Sequence, residues 1–140
     1  MKNKPIISID FDETLEYQFM QEFAKQLIEN DVEVHILTTR YDNENAKIYY
    51  NRDHINEDIY EIAKNLNIEK IFFTNMVDKW TFLKDKPEYV IHIDNEFSEC
   101  KTITKHTNTI GICWFNSGSW KHKVSRVLKN KFQIILTKKN

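Results

Sequence analysis

The run Ile6-Ile-Ser-Ile9 breaks off into two acids, Asp10 and Asp12, with Thr14 and Leu15 opening the next segment. A short apolar run rich in β-branched residues has the pattern of a buried parallel strand. Its polar end is then the carboxyl end, where open α/β sheets bind their ligands. The two-residue period of a strand separates Asp10 and Asp12 from Phe11, so both carboxylates face one site. Two carboxylates held together cost free energy unless a cation or a proton offsets them. Taken alone, an Asp-x-Asp at a strand end is more often a pair of solvated acids. The remaining strand ends decide between the two.

Leu15, Phe19, Phe23 and Leu27 recur every four residues, with Met20, Ala24 and Ile28 beside them, which predicts an amphipathic helix. Asn30-Asp31 ends it, and Val32 to Thr38 reads as the second strand, running into Thr38-Thr39-Arg40. A polar stretch, 41–53, leads to a helix with Ile55, Ile59, Ile62, Ala63 and Leu66 on its core side. Lys70 to Thr74 reads as a third strand, and 77–83 as a short helical segment carrying Lys79 and Trp80. Tyr89 to Ile93 is a fourth apolar run, ending in Asp94-Asn95-Glu96. A helix over 97–105, a strand over 109–115 and a basic helix after Ser119 come next, with Ser119 as its cap. Phe132 to Thr137 has the pattern of a further strand. Strands alternating with helices in this way predict a parallel sheet covered on both faces, with right-handed crossovers.

The polar residues at these strand ends form a chemical set. Asp10, Asp12 and Asp94 suit Mg²⁺, which takes oxygen ligands and keeps several waters. Thr38 and Lys79 suit phosphate oxygens, and a carboxylate such as Asp10 is a nucleophile for phosphorus. Lys79 lies 15 positions before Asp94, close enough to reach the same mouth; Lys84 and Lys86 compete for its place.

With these residues in view, the chain resembles the haloacid dehalogenase (HAD) superfamily. Asp10-Phe-Asp-Glu-Thr14 matches that family's first motif, Asp-x-Asp-x-Thr, and Val34-His-Ile-Leu-Thr38 matches the second, continued by Arg40 as is common there. Lys79 stands for the third motif and Val90-Ile-His-Ile-Asp94 for part of the fourth. The resemblance spans residues 6 to about 99. The family often has a second acid after the first in motif four. Here Asn95 follows Asp94, and Glu99, about one helical turn on, is the other candidate for the second acid.

The resemblance implies a Rossmann-like three-layer α/β sandwich with a mainly parallel sheet. It implies an Mg²⁺-dependent phosphomonoester hydrolase in which Asp10 forms an aspartyl-phosphate. Asp12 would protonate the leaving group, then activate water, and lend its backbone carbonyl to the metal. Asp94 would complete the protein ligands, and Thr39, Arg40, Asn95 and Glu99 would stand close by. Only 23 residues separate Thr14 from Thr38, and 40 separate Thr38 from Lys79, which leaves no room for a separate cap domain. Capless relatives resemble this, and the Thr-x-Arg element with the basic tail points toward nucleotides or polynucleotide 3′-phosphate ends as substrate. The rival is a non-catalytic phospho-ligand or protein-binding module on the same scaffold, suggested by Asn95.

Composition sets the outer bounds. Two Gly and two Pro leave no linker or low-complexity segment, so 140 residues read as one domain, with the motifs in 6–99 and a basic strand-helix-strand in 100–140. No window could span a membrane, and Cys100 and Cys113 lack metal or disulfide spacing, so the expected location is the cytoplasm. Nor do His35, His54, His92, His106 and His122 show metal-ligand spacing, which gives them structural roles. Trp114 and Trp120 read as packing residues, while Tyr49, Tyr50 and Arg52 fall on the active-site side as candidate substrate contacts. The net charge of −1 hides a strong division. Residues 1–99 carry 11 basic and 21 acidic residues, a net −10, whereas 100–140 carry nine basic residues and no acid. Either the halves neutralise each other within the fold, or the basic third, with Lys123, Arg126 and Lys129 on one helix face, meets a polyanion.

Overall fold

The computed structural model describes residues 4–138. Five strands, β1 (Ile6–Ile9), β2 (Glu33–Thr38), β3 (Ile71–Phe73), β4 (Tyr89–Asp94) and β5 (Ile110–Cys113), form one sheet in the order β3-β2-β1-β4-β5. Every pairing is parallel, so the sheet is parallel throughout. The β-branched runs suit this setting because such strands are covered on both faces. From central β1 the chain steps outward to β2 and β3, then returns to β4 on the other flank. The order therefore reverses between β1 and β4, and a crevice opens there at the carboxyl ends. Asp10 follows directly on β1 and Asp94 is the last residue of β4.

Helices cover both faces. α1 (Gln18–Glu29), α3 (Glu57–Leu66) and α6 (Trp120–Phe132) pack Met20, Leu27, Ile59, Val124 and Leu128 against Ile7, Ile9, Ile36 and Ile91. On the opposite face, Leu83 of α4 (Lys79–Leu83) and Ile103 of α5 (Phe97–His106) pack with Leu37 and Tyr89. Among the described residues, no helix is long and apolar enough to cross a membrane.

Four local expectations need correction. The stretch 41–53 holds a helix, α2 (Asn43–Tyr50), started by Asp42, whose carboxylate accepts the Asn45 N–H at 2.8 Å. Its apolar residues give no stripe because Ala46 alone is buried in it, so period-based reading misses it. Residues 132–137 form no strand. α6 runs on to Phe132, Gln133 turns left-handed (φ 55°), and the tail packs Ile134 and Leu136 on the core. The alternation that looked like a strand thus serves side-chain packing, with Thr137 clipped to Asn30 instead of to a neighbouring strand. Ser119 stands at the N-cap position of α6 without capping it; its hydroxyl pairs with that of Ser117. The first strand stops at Ile9, so the two-residue period does not carry Asp12 alongside Asp10.

Candidate active site

Strand β1 gives way to a wide turn, Phe11–Leu15, closed by Leu15 N–H to Asp10 carbonyl (3.0 Å) and Glu16 N–H to Phe11 carbonyl (3.1 Å). Inside it Asp12 is extended (φ −65°, ψ 127°) and Glu13 is left-handed (φ 56°). A left-handed non-glycine residue is a local cost that the surrounding structure must offset. The turn leaves Asp10 in line with the strand, buried, and lifts the half-exposed Asp12 toward solvent.

On the face covered by α4 and α5, strand period aligns Ser8 with Asp10 and His92 with Asp94. Lys79, at the start of α4, places its Nζ 2.7 Å from Asp10 Oδ1 and 2.6 Å from Asp94 Oδ2. All three side chains are buried, Lys79 at 4% exposure. Of the competing lysines, Lys79 alone joins the two acids: Lys86 reaches the Phe82 carbonyl instead, and Lys84 is exposed. Asp94 is oriented further by His92, whose Nε2–H donates to Oδ2 (2.8 Å) while its Nδ1 accepts from the Ser8 hydroxyl (2.7 Å). Burial keeps that imidazole neutral, holding its pKa below the ordinary value. Sequence reading assigned His92 a structural role only; the i, i+2 spacing to Asp94 on one strand was the available signal.

The electrostatics of the cluster are lopsided. Burial pushes the Asp10 carboxyl up to about 7 against the pull of Lys79, and the charge of Asp94 adds to the rise. Burial also opposes ionisation of Asp94, yet the hydrogen bond from His92 and the charge of Lys79 hold it well below the usual carboxylate range. Burial works against the charge of Lys79 too, but the two acids hold its pKa above the ordinary value. Two carboxylates against one ammonium leave excess negative charge in a buried site, built from the hard oxygen donors that Mg²⁺ takes. Such a cation fits Asp10 and Asp94, with waters completing its shell. The third acid does not join them by its side chain, and among the described residues no three His, Cys, Asp or Glu side chains form a ready cation cage. Asp12 could contribute only its backbone carbonyl.

The Asp12 carboxylate instead meets Arg40, with Nε to Oδ2 at 2.9 Å and Nη2 to Oδ1 at 2.6 Å. Arg40 also grips Asp58 through two bonds of 2.9 and 3.0 Å, donates to the Ile55 carbonyl and lies over the Phe11 ring. A bidentate guanidinium fixes the plane of a carboxylate as a lysine could not. Asp58 was absent from the sequence reading because its role depends on a fold contact 18 residues away.

Thr38 is buried at the end of β2, its hydroxyl accepting the Arg40 N–H at 3.2 Å. The 38–40 segment is held by residues 74–76, with the Thr39 carbonyl taken by the Met76 N–H. Thr14 donates toward Asp10 Oδ2 (3.3 Å) and accepts from Trp114 Nε1 (3.1 Å), which makes Trp114 a support of the first motif. Asn95 reaches neither Lys79 nor Asp10; its amide donates to Glu13 across the mouth (3.2 Å). Glu99 stands close by, as a support of Lys79. Its carboxylate accepts the backbone N–H of Lys79 (3.0 Å), so it positions α4 instead of supplying a second acid to the cluster.

Compared with protein-family models and curated proteins, the chain matches none. Among solved structures it is similar to the cobalt-bound deoxy-D-mannose-octulosonate 8-phosphate phosphatase of Haemophilus influenzae, at 13% identity and a TM-score of 0.53, over 91% of this chain and 88% of that one. It is also similar to a Legionella pneumophila chain described as a HAD superfamily (subfamily III A) hydrolase, at 15% identity and 0.48, and to a hypothetical protein from Xanthomonas campestris, at 10% and 0.49. Each of these two matches covers 79% of this chain, which spans under two thirds of the other (65% and 64%). The chain thus has the Rossmann-like α/β fold of the H. influenzae phosphatase.

Proposed function

We propose that the chain is a phosphomonoester hydrolase of the HAD type. The observation that carries this reading is the buried Asp10–Lys79–Asp94 cluster at the point where the sheet order reverses. A phosphoryl group brought there meets the Asp10 carboxylate, with the Lys79 ammonium 2.7 Å away to offset charge on its oxygens. Thr38 stands at the neighbouring strand end as a second oxygen ligand. Attack by Asp10 forms the aspartyl-phosphate and breaks the P–O bond to the alcohol. The departing alkoxide takes a proton that Asp12 has first picked up from solvent, and the Asp12 carboxylate then takes a proton from the water that hydrolyses the intermediate. Arg40 and Asp58 hold Asp12 in position for both transfers. Mg²⁺ bound by Asp10 and Asp94 would let two anions approach and would polarise the phosphoryl oxygens; the cobalt-bound state of the H. influenzae phosphatase supports a divalent cation here.

Substrates in this reading are phosphorylated small molecules, nucleotides or polynucleotide 3′-phosphate ends. The two buried, unpaired cysteines accord with a reducing, cytoplasmic setting.

Hydrolysis of a generic aryl phosphate should require Mg²⁺ or a similar cation and should vanish in Asp10→Asn with the circular dichroism spectrum unchanged. Retention of most turnover by that variant rejects Asp10 as nucleophile. The contact of Asn95 with Glu13 favours one rival, a phospho-ligand binding module; binding of phosphate esters with no turnover of any in a broad panel would establish it.

A further inference from the structure

A cavity of about 620 Å³ that the proposed hydrolysis does not use has Arg40, which holds Asp12, as one wall and is lined further by Tyr49, Tyr50, Arg52 and Ile55. Its size falls in the range of small-molecule sites. We infer that it is the leaving-group subsite and that it takes a planar ring carrying a second anionic group, the chemistry of a nucleotide with a further phosphate. This rests on the phosphatase reading for the identity of the leaving group.

Three observations lead there. The acid that protonates the leaving oxygen must lie next to the alcohol it releases. Asp12 is bound to Arg40, and Arg40 is also a wall of the cavity, so the cavity lies one side chain from the acid that the leaving alcohol must meet. The tyrosines form the second observation. Helix α2 buries only Ala46 and leaves Ile48, Tyr49 and Tyr50 at 70, 64 and 51% exposure. Tyr41 stacks on Tyr49 (centroids 4.8 Å apart, 19° between planes) and meets Tyr50 edge-on at 5.3 Å. A helix that turns its aromatic residues onto a shared outer wall offers flat faces for a ring to stack on.

The third observation is charge. Arg40 is committed to Asp12 and Asp58 and is not free to bind a ligand. Arg52 is exposed and, among the described residues, pairs with no acid. It is therefore the cation available at the cavity for a second anion. Asn56, buried, donates to the Tyr41 carbonyl and the Asn43 side chain (both 3.0 Å), which ties the loop below the cavity to the start of α2.

The test compares a nucleoside 3′,5′-bisphosphate with glycerol phosphate, using the full chain with Mg²⁺. Tyr49→Ala and Arg52→Ala should each raise KM for the bisphosphate about tenfold, leaving kcat for both esters and KM for glycerol phosphate within about twofold. Arg52→Lys should recover part of the loss, because the second phosphate needs a cation. Both residues are exposed, so the variants should fold as the parent does. Equal effects on both esters, or none on the bisphosphate, overturn the subsite while the phosphatase reading stands. Calorimetry with the Asp10→Asn protein separates the two ideas. Bisphosphate binding that Tyr49→Ala weakens about tenfold supports the subsite even if no ester is hydrolysed, and binding indifferent to Tyr49 and Arg52 overturns it.

Discussion

Two carboxylates and one ammonium share the buried centre, and Lys79 is the member that the others cannot do without. Replacing it with Met leaves Asp10 and Asp94 facing each other in a dry site with no cation. Removing one partner of a buried ion pair typically costs about 3–5 kcal/mol, and Lys79→Met should lose about that much in urea unfolding without added metal. Asp10→Asn in the same background should recover part of it, since one buried charge is then gone. A cost below about 1 kcal/mol, or no recovery in the double variant, would show that the cluster is not compensated as the 2.6 and 2.7 Å contacts imply. At this scale the sequence was most readable where a residue ends a strand. Asp10, Thr38 and Asp94 follow from position in a β-run, and Lys79 from spacing. Two second partners were not readable, because Asp58 on Arg40 and Trp114 on Thr14 depend on contacts 18 and 100 residues away. Glu99 was legible as a neighbour of the site, but not its partner, the Lys79 amide 20 residues away. Asp12 shows the same limit: its direction is set by a wide turn, which hydrophobic periodicity does not encode.

Elements with one apolar stripe were legible and those without were not. α1, α3 and α5 bury faces that the 3.6-residue period reveals, whereas α2 holds its tyrosines outward and the 132–137 segment packs by alternation without pairing. Phe19 belongs to the predicted stripe of α1 yet stays 37% exposed, resting on Trp114 with ring centroids 4.9 Å apart. The packing of α5 on β5 depends on one glycine. A Cβ at Gly111 would lie 2.3 Å from the Cys100 carbonyl oxygen and 2.6 Å from its Cα, both backbone atoms that cannot rotate away. The Gly111 N–H meanwhile donates to Thr104 of the same helix at 2.8 Å. Gly111→Ala must push α5 outward, and overpacking of this kind costs about 1–3 kcal/mol. The shift should also reach Glu99, on the first turn of α5, and through it the start of α4. Thermal unfolding should therefore drop by several degrees, and phosphatase turnover should fall with it. An unchanged melting temperature would mean that α5 does not sit this close to the strand.

Across the whole molecule, the division of charge is not resolved by close ion pairs among the described residues. Among the described residues, no basic side chain from Lys101 onward forms an ion pair with an acid; the ion pairs involve Lys4, His35, Arg40, His54, Lys79 and His92. The described basic residues of the last third are therefore left without a contact partner among the acids. Lys101, Lys105, Lys123 and Arg126 line one cavity of about 790 Å³ at edge strand β5, together with Ile110, Ile112 and Val127. We propose that this basic face meets the backbone of a single-stranded nucleic acid whose 3′-phosphate enters the Asp10 crevice. Each phosphate neutralised releases counterions, with a salt slope of roughly −0.7 per contact for single strands. Changing Lys123, Arg126 and Lys129 together to Gln should then flatten the slope by up to about 2 in log–log terms, if all three take part. Lys129 does not line the cavity, so Lys123→Gln with Arg126→Gln should carry most of the change. Hydrolysis of glycerol phosphate should be unaffected, since none of these residues belongs to the Asp10 cluster. Salt-insensitive binding of a 3′-phosphorylated oligonucleotide by the Asp10→Asn protein would reject the polyanion face. Equal losses on glycerol phosphate and oligonucleotide would reject it too, because they would trace the effect to the crevice and not to the groove.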